Sequence, residues 1–133
     1  MTRYRQTQDA IFQVFATPAW KSENIVTLPT NFTIPSGVDE FIRVNILPAG
    51  RGVNRISASG LVIINISIRD GKGPTRAVDI ADKLNSYLES KTLNTSTGTV
   101  QFSSSTFSLQ GRSETNNFSV FEYSIPFNFF GAF

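Results

Sequence analysis

The residues that could do chemistry are few. The chain has no cysteine and no histidine. That excludes disulfides, thiolate zinc sites, cysteine nucleophiles and histidine-based triads together. Asp70-Gly71-Lys72-Gly73-Pro74-Thr75 falls between a strand and a helix, where phosphate-binding loops lie. It fails the Gly-x-x-x-x-Gly-Lys-Ser/Thr pattern, because Ile66 stands five residues before Gly71 and Gly73 follows the lysine. It reads as a tight turn, with Thr75 capping the helix. The carboxylates form no convincing acid/base pair. Asp79 and Asp82 belong to the first turns of a helix, where the macrodipole favours them, Asp39 and Glu40 precede a strand, and Glu122 lies on the last strand. Serine is plentiful, but no serine-lysine motif accompanies it. The residues therefore name no catalytic, cofactor-binding or metal-ligating group, and the expectation is a protein that is not an enzyme and needs no cofactor.

Binding chemistry offers more. Ala49-Gly50-Arg51-Gly52-Val53-Asn54-Arg55 places two arginines among glycines in a loop that could follow a phosphate backbone or be a solvated hairpin tip. Arg43 and Arg69 extend this basic middle third. The net charge is only +2, too small to argue for nucleic acid on bulk electrostatics. The aromatic signature of an RNA-recognition sheet is missing. Four Asn-x-Ser/Thr sequons, at Asn31, Asn65, Asn94 and Asn117, read as by-products of a Ser/Thr/Asn-rich chain. No apolar run approaches the ~20 residues of a membrane span, and Met1 to Gln6 has no apolar stretch behind it to make a signal peptide.

The elements that must position these residues are clearer. At 133 residues, residues 1–133 are read as one domain. A first helix spans Tyr4 to Phe15, with Tyr4, Ile11, Val14 and Phe15 on one side and Thr2 as N-cap; Thr17-Pro18 ends it. Trp20 to Gly37 is a connection, with a short extended piece at Ile25, Val26 and Leu28. Glu40 to Leu47 is a strand, broken by Pro48 to Gly52. Ile56 to Ile68 alternates with period two and reads as one long strand. Ala77, Ile80, Ala81, Leu84, Tyr87 and Leu88 form one stripe of a second helix. Asn94 to Gly98 is a polar turn, Val100 to Leu109 a serine-rich third strand, and Phe118 to Phe127 a fourth. The predicted fold is therefore α+β: an antiparallel sheet of four strands or slightly more, with two helices on one face, in the order α-β-β-α-β-β.

Two features exceed what a free monomer needs. Four of the twelve phenylalanines stand in the last seven residues. Leu61-Val62-Ile63-Ile64 is apolar on both faces of its strand: either both faces are covered within the subunit, or one meets a neighbouring subunit.

As a set, the Pro-Thr-Asn-Phe-Thr-Ile-Pro loop (Pro29 to Pro35), the Phe-Ile-Arg-Val-Asn-Ile-Leu-Pro strand (Phe41 to Pro48), the Ser-Gly-Leu-Val-Ile-Ile-Asn-Ile strand (Ser59 to Ile66), the Gly-Lys-Gly turn, the helix Ala77 to Leu88 and the closing Ile125-Pro126-Phe127 resemble the tail terminator (tail completion) proteins of long-tailed bacteriophages. The chain departs from that pattern at Leu28, where a tryptophan is expected, and in its serine-rich third strand. The resemblance implies a homo-oligomeric ring, usually a hexamer, in the virion at the head-proximal end of the tail. Such a ring stops tube polymerisation and joins the tail tube protein to the head connector or neck protein, with DNA passing through the lumen without sequence-specific binding. Assembly would take place in the bacterial host cytoplasm, with no membrane involved. Within the structural class, a head-closure or neck protein or a tail tube subunit is the alternative; outside it, a small nucleic-acid-binding module. On this reading the Pro48–Arg55 hairpin and the Gln110–Asn117 loop reach toward partners or lumen, with Arg51, Arg55, Arg43 and Arg69 as candidate contacts. Phe127, Phe129, Phe130 and Phe133 are core or subunit-contact residues.

Overall fold

A computed structural model describes residues 3–29, 37–51, 57–69, 74–95, 98–113 and 118–131. The elements in chain order are α1 (Arg3–Phe15), α2 (Pro18–Lys21), β1 (Thr27–Pro29), β2 (Glu40–Arg51), β3 (Ser57–Arg69), α3 (Thr75–Leu88), β4 (Thr92–Thr95), β5 (Gly98–Phe102), β6 (Thr106–Ser113) and β7 (Phe118–Gly131). All seven strands join one sheet, ordered β1-β2-β3-β7-β5-β4, with β6 also paired to β7. β1 runs parallel to β2; every other pairing is antiparallel.

The expected four-stranded antiparallel sheet with two helices is therefore wrong. Among the described residues strands predominate, the three helices are small, and the mixed seven-stranded sheet curls into a half-barrel. Each miss has a local cause. β1 is only three residues long; it overlaps the short extended piece expected at Ile25, Val26 and Leu28 and is a strand of the sheet because it pairs with β2. Asn94 to Gly98 has turn composition, but Thr92–Thr95 zips onto β5 in a hairpin. There Gly98 (φ +149°) lies so close to β7 that a Cβ would stand 2.4 Å from the Phe130 carbonyl oxygen and 2.8 Å from the Phe129 ring.

Two prolines, Pro48 and Pro126, lie inside strands for related reasons. Pro48 does not end β2; the register shifts between Pro48 and Gly50, and the strand runs on to Arg51. A bulge is where a strand tolerates a missing donor. Pro126 lies inside β7. Its carbonyl accepts from the Ser103 N–H at 3.0 Å, so its nitrogen faces the same edge, where Ser103 to Ser105 separates β5 from β6 and no ladder needs a donor. The single serine-rich strand expected over Val100–Leu109 is consequently two strands, laid end to end along β7.

Thr17 joins the first two helices. Its Oγ1 donates to the Val14 carbonyl at 2.9 Å and accepts from the Trp20 N–H at 3.3 Å, closing α1 and opening α2. The N-cap of α3 is Pro74, with no side-chain cap bond, so the expected cap at Thr75 is not used; Thr2 lies outside the described residues. α1 and α3 lay Ile11, Val14, Ala77, Ile80, Leu84 and Leu88 on one sheet face, against Ile42, Val44, Val62, Ile64, Ile66, Phe121, Tyr123, Ile125, Phe127 and Phe129.

Gly98→Ala should lower stability by roughly 2 kcal/mol or more, since the new methyl meets backbone as well as a packed ring. A thermal or urea melt measures this; an unchanged midpoint would show that the β4–β5 hairpin shifts freely.

Candidate functional site

Because side chains alternate across a strand, the residues between the core positions line a second face. No described helix covers it. Cross-strand rows run Arg43–Asn65–Glu122, Asn45–Ile63–Ser124 and Leu47–Leu61–Pro126. Beyond these, Asn128 and Phe130 continue on β7, with Gln101 and Thr99 opposite them on β5.

The two ends of this face differ. At one end Phe41 and Phe118 pack edge-to-face at 5.3 Å beside Leu28. Arg43 stands 5.9 Å over Phe41 and donates to the Pro29 carbonyl at 3.4 Å. Arg69 stands 5.0 Å over Phe118, bonds Asp39 at 2.9 Å and donates to the Val38 carbonyl at 2.8 Å. Next to it Arg76 and Glu40 pair at 2.6 Å, which raises the Arg76 pKa. Asp39, Glu40, Ile68 and Arg76 line an open cleft of ≈ 320 Å³. Toward the other end, past the Asn65 row, no described side chain on this face is charged. Leu47 and Phe130, 47% and 40% exposed, are the two large exposed apolar side chains among the described residues, and Leu61 and Ile63 lie half-buried between them.

The structure thus separates the expected site residues. Arg51 pairs with Ala58, which lies about 36 Å along β3 from Arg69 at ~3.3 Å per residue. Arg43 is engaged by the Phe41 ring and the Pro29 carbonyl, and Arg69 by the Phe118 ring and the Asp39 carboxylate, rather than presented in a loop, and Arg55 lies outside the described residues. Of the expected loops, residues 48–51 and 110–113 belong to β2 and β6, and the remainder of each lies outside the described residues. Phe127 and Phe129 are 1% and 0% exposed; they are core, unavailable to a neighbour. Phe130 is exposed, and Phe133 lies outside the described residues. Truncation from Phe129 would therefore remove core, not only a contact surface.

Sequence reasoning missed a polar pin beneath the β5–β6 junction. The Tyr123 and Ser105 hydroxyls both donate to Asn85 Oδ1, at 2.7 and 2.6 Å, and Glu89 Oε1 accepts from the Ser105 N–H at 3.0 Å. The Ser105 hydroxyl thus has two acceptors, Asn85 Oδ1 at 2.6 Å and Glu89 Oε1 at 3.4 Å. The arrangement fastens α3 to the sheet. A second clamp joins α3 to the α2–β1 segment, where Glu23 accepts from Lys83 at 2.7 Å and Tyr87 at 3.0 Å; these bonds lower the Glu23 pKa. No described group of three or more carboxylates could hold a metal ion, and no described helix is long and apolar enough to cross a membrane.

No protein-family model matches the chain, and no curated protein matches it. A solved structure matches over 96% of this chain and 95% of its own, with a TM-score of 0.70 and 13% identity. At that identity the likeness shows a shared fold alone.

Burial pushes the Tyr123 hydroxyl up to about 12 from 10.0. The folded state thus holds the neutral phenol after the unfolded chain has ionised, so stability is fully present below pH ~10 and falls as pH rises toward 12. Tyr123→Phe should cost about 1 kcal/mol at neutral pH and flatten the loss between pH 10 and 12. Urea melts at pH 7, 10 and 11.5 measure both; equal alkaline slopes would remove Tyr123 from the account.

Proposed function

We propose that this chain is a structural virion subunit of the tail terminator kind, which assembles with copies of itself into a ring on the head-proximal end of a phage tail tube. The observation that carries the reading is the uncharged, helix-free half-face bearing Leu47 and Phe130. Large apolar side chains gathered on an uncovered sheet mark contact surfaces, and a ring contact uses one such patch in every copy. The segments that carry the tail-terminator resemblance and fall in the described residues lie on β2, β3, α3 and β7, the elements that build the core and this face. The side-chain clusters described above fasten elements together.

In that role the ring would end tube growth and offer its far side to the head connector, in the virion. DNA would pass the lumen with little attraction, since Arg43 and Arg69 are committed to structural contacts.

The paired substitution Leu47→Gln with Phe130→Gln should leave the melting midpoint within about 0.5 kcal/mol of wild type in free-energy terms while lowering self-association at least tenfold. In a tube-growth assay with the tail tube protein of the same phage, wild-type chain should fix tube length and the double variant should not. Tubes that grow equally with and without the wild-type chain would sink the terminator reading; a chain that itself extends into tubes would make it a tube subunit.

A further inference from the structure

The uncharged patch is too small to hold copies together alone. Three strands at ~4.8 Å spacing and five residues of length give about 240 Å², against the ~800 Å² per partner of a stable interface. More surface must join, and the sheet borders supply it. β7 is paired along one edge by β3 and along the other by β5 and β6 in line. β5 is covered in turn by β4, but among the described residues no strand lies outside β6. That leaves an open edge set opposite residues 119–124 of β7, about 20 Å long and interrupted by the register shift between Ser108 and Arg112. It contains no proline, and its one charge is Arg112. A long uncapped edge is a template for another strand and is normally blunted in a monomer.

At the opposite border of the same sheet lies β1, also without a described strand outside it. Its extended approach, Ile25 to Pro29, carries no charge; β1 itself is three residues long and ends in Pro29, so Ile25 and Val26 must lengthen the edge it offers. The strand directions fit. β1 runs with β2; β3 runs against β2, β7 against β3 and β6 against β7. β6 of one copy and β1 of the next therefore meet antiparallel when the sheet continues in the same sense, the pairing that strands favour. Opposite edges of one sheet also make a head-to-tail contact, which closes into a ring when the curl of each copy adds up.

We infer that the outer edge of β6 in one copy takes up the β1 edge of the next, so that the sheet runs on across the subunit boundary. This inference rests on the ring reading. The partner is a second copy of this chain, held by main-chain hydrogen bonds, with the Leu47–Phe130 patch as an additional contact.

The absence of native cysteine makes the test direct. Val26 on the β1 approach and Thr106 and Ser108 on β6 point to the same, helix-free face. Full-length chains carrying Val26→Cys mixed with chains carrying Thr106→Cys or Ser108→Cys should form a mixed disulfide on mild oxidation, and a chain carrying both should give a ladder of covalent oligomers. Gln110→Pro should raise the concentration needed for association at least tenfold. Residues 109–111 have no partner in β7, so that change spares the subunit's own ladder, and an unaltered melt will show it. Hydrogen exchange on the wild-type chain should show amides 106–113 slowing as copies associate. Association without the mixed disulfide and without slowed β6 amides overturns the seam while leaving the ring. A disulfide from Ser108→Cys chains alone shows β6 meeting β6 and overturns β1 as the occupant. A chain that stays monomeric up to about 1 mM overturns the seam and the ring together.

Discussion

Everything in this subunit depends on β7 being held along both edges while its alternate side chains fill the core. Over fourteen residues it hydrogen-bonds β3 on one side and β6 and β5 on the other. Its inward residues, Phe121, Tyr123, Ile125, Phe127 and Phe129, are each no more than 6% exposed. Burial of side chains this large contributes about 1.5–3 kcal/mol each. The strand is thus both the centre of the sheet and the floor on which α1 and α3 rest. Pro126 fits only because the β5–β6 junction leaves its nitrogen nothing to donate to, and the Asn85–Ser105–Tyr123 pin fastens that junction to α3.

The same arrangement divides the molecule's two faces by task. The inward face is spent on the core. The outward face is stabilised at one end by Arg43 and Arg69 over Phe41 and Phe118 and left uncharged at the other. Among the described residues, nothing covers Leu47 and Phe130 at the uncharged end.

The strongly periodic elements were legible in the sequence: the helix stripe from Ala77 to Leu88, the alternation from Ala58 to Ile68 and the aromatic ladder from Phe121 to Phe127 all appear where the pattern places them. The strand count was not legible, because it was set by tertiary pairing. Thr92–Thr95 becomes a strand only by lying against β5, and β1 only by lying against β2. Pro48 and Pro126 read locally as stops; a bulge and an edge junction, neither visible in the sequence, accommodate them. The candidate site was half legible. The two-sided apolarity of Leu61 to Ile64 left open whether the second face is covered within the subunit, Phe127, Phe129 and Phe130 sort into core and surface only once strand parity is fixed, and Arg51 and Arg69 looked like neighbours only while the lengths of β2 and β3 were unknown.

The central claim, that this subunit exists to join copies of itself into a closed ring, is tested most directly by its mass in solution. Light scattering across a hundredfold range of concentration, with negative-stain images of the same fractions, should show one discrete oligomer whose mass stops rising and whose images are rings. A monomer throughout, or filaments that lengthen with concentration, would contradict it.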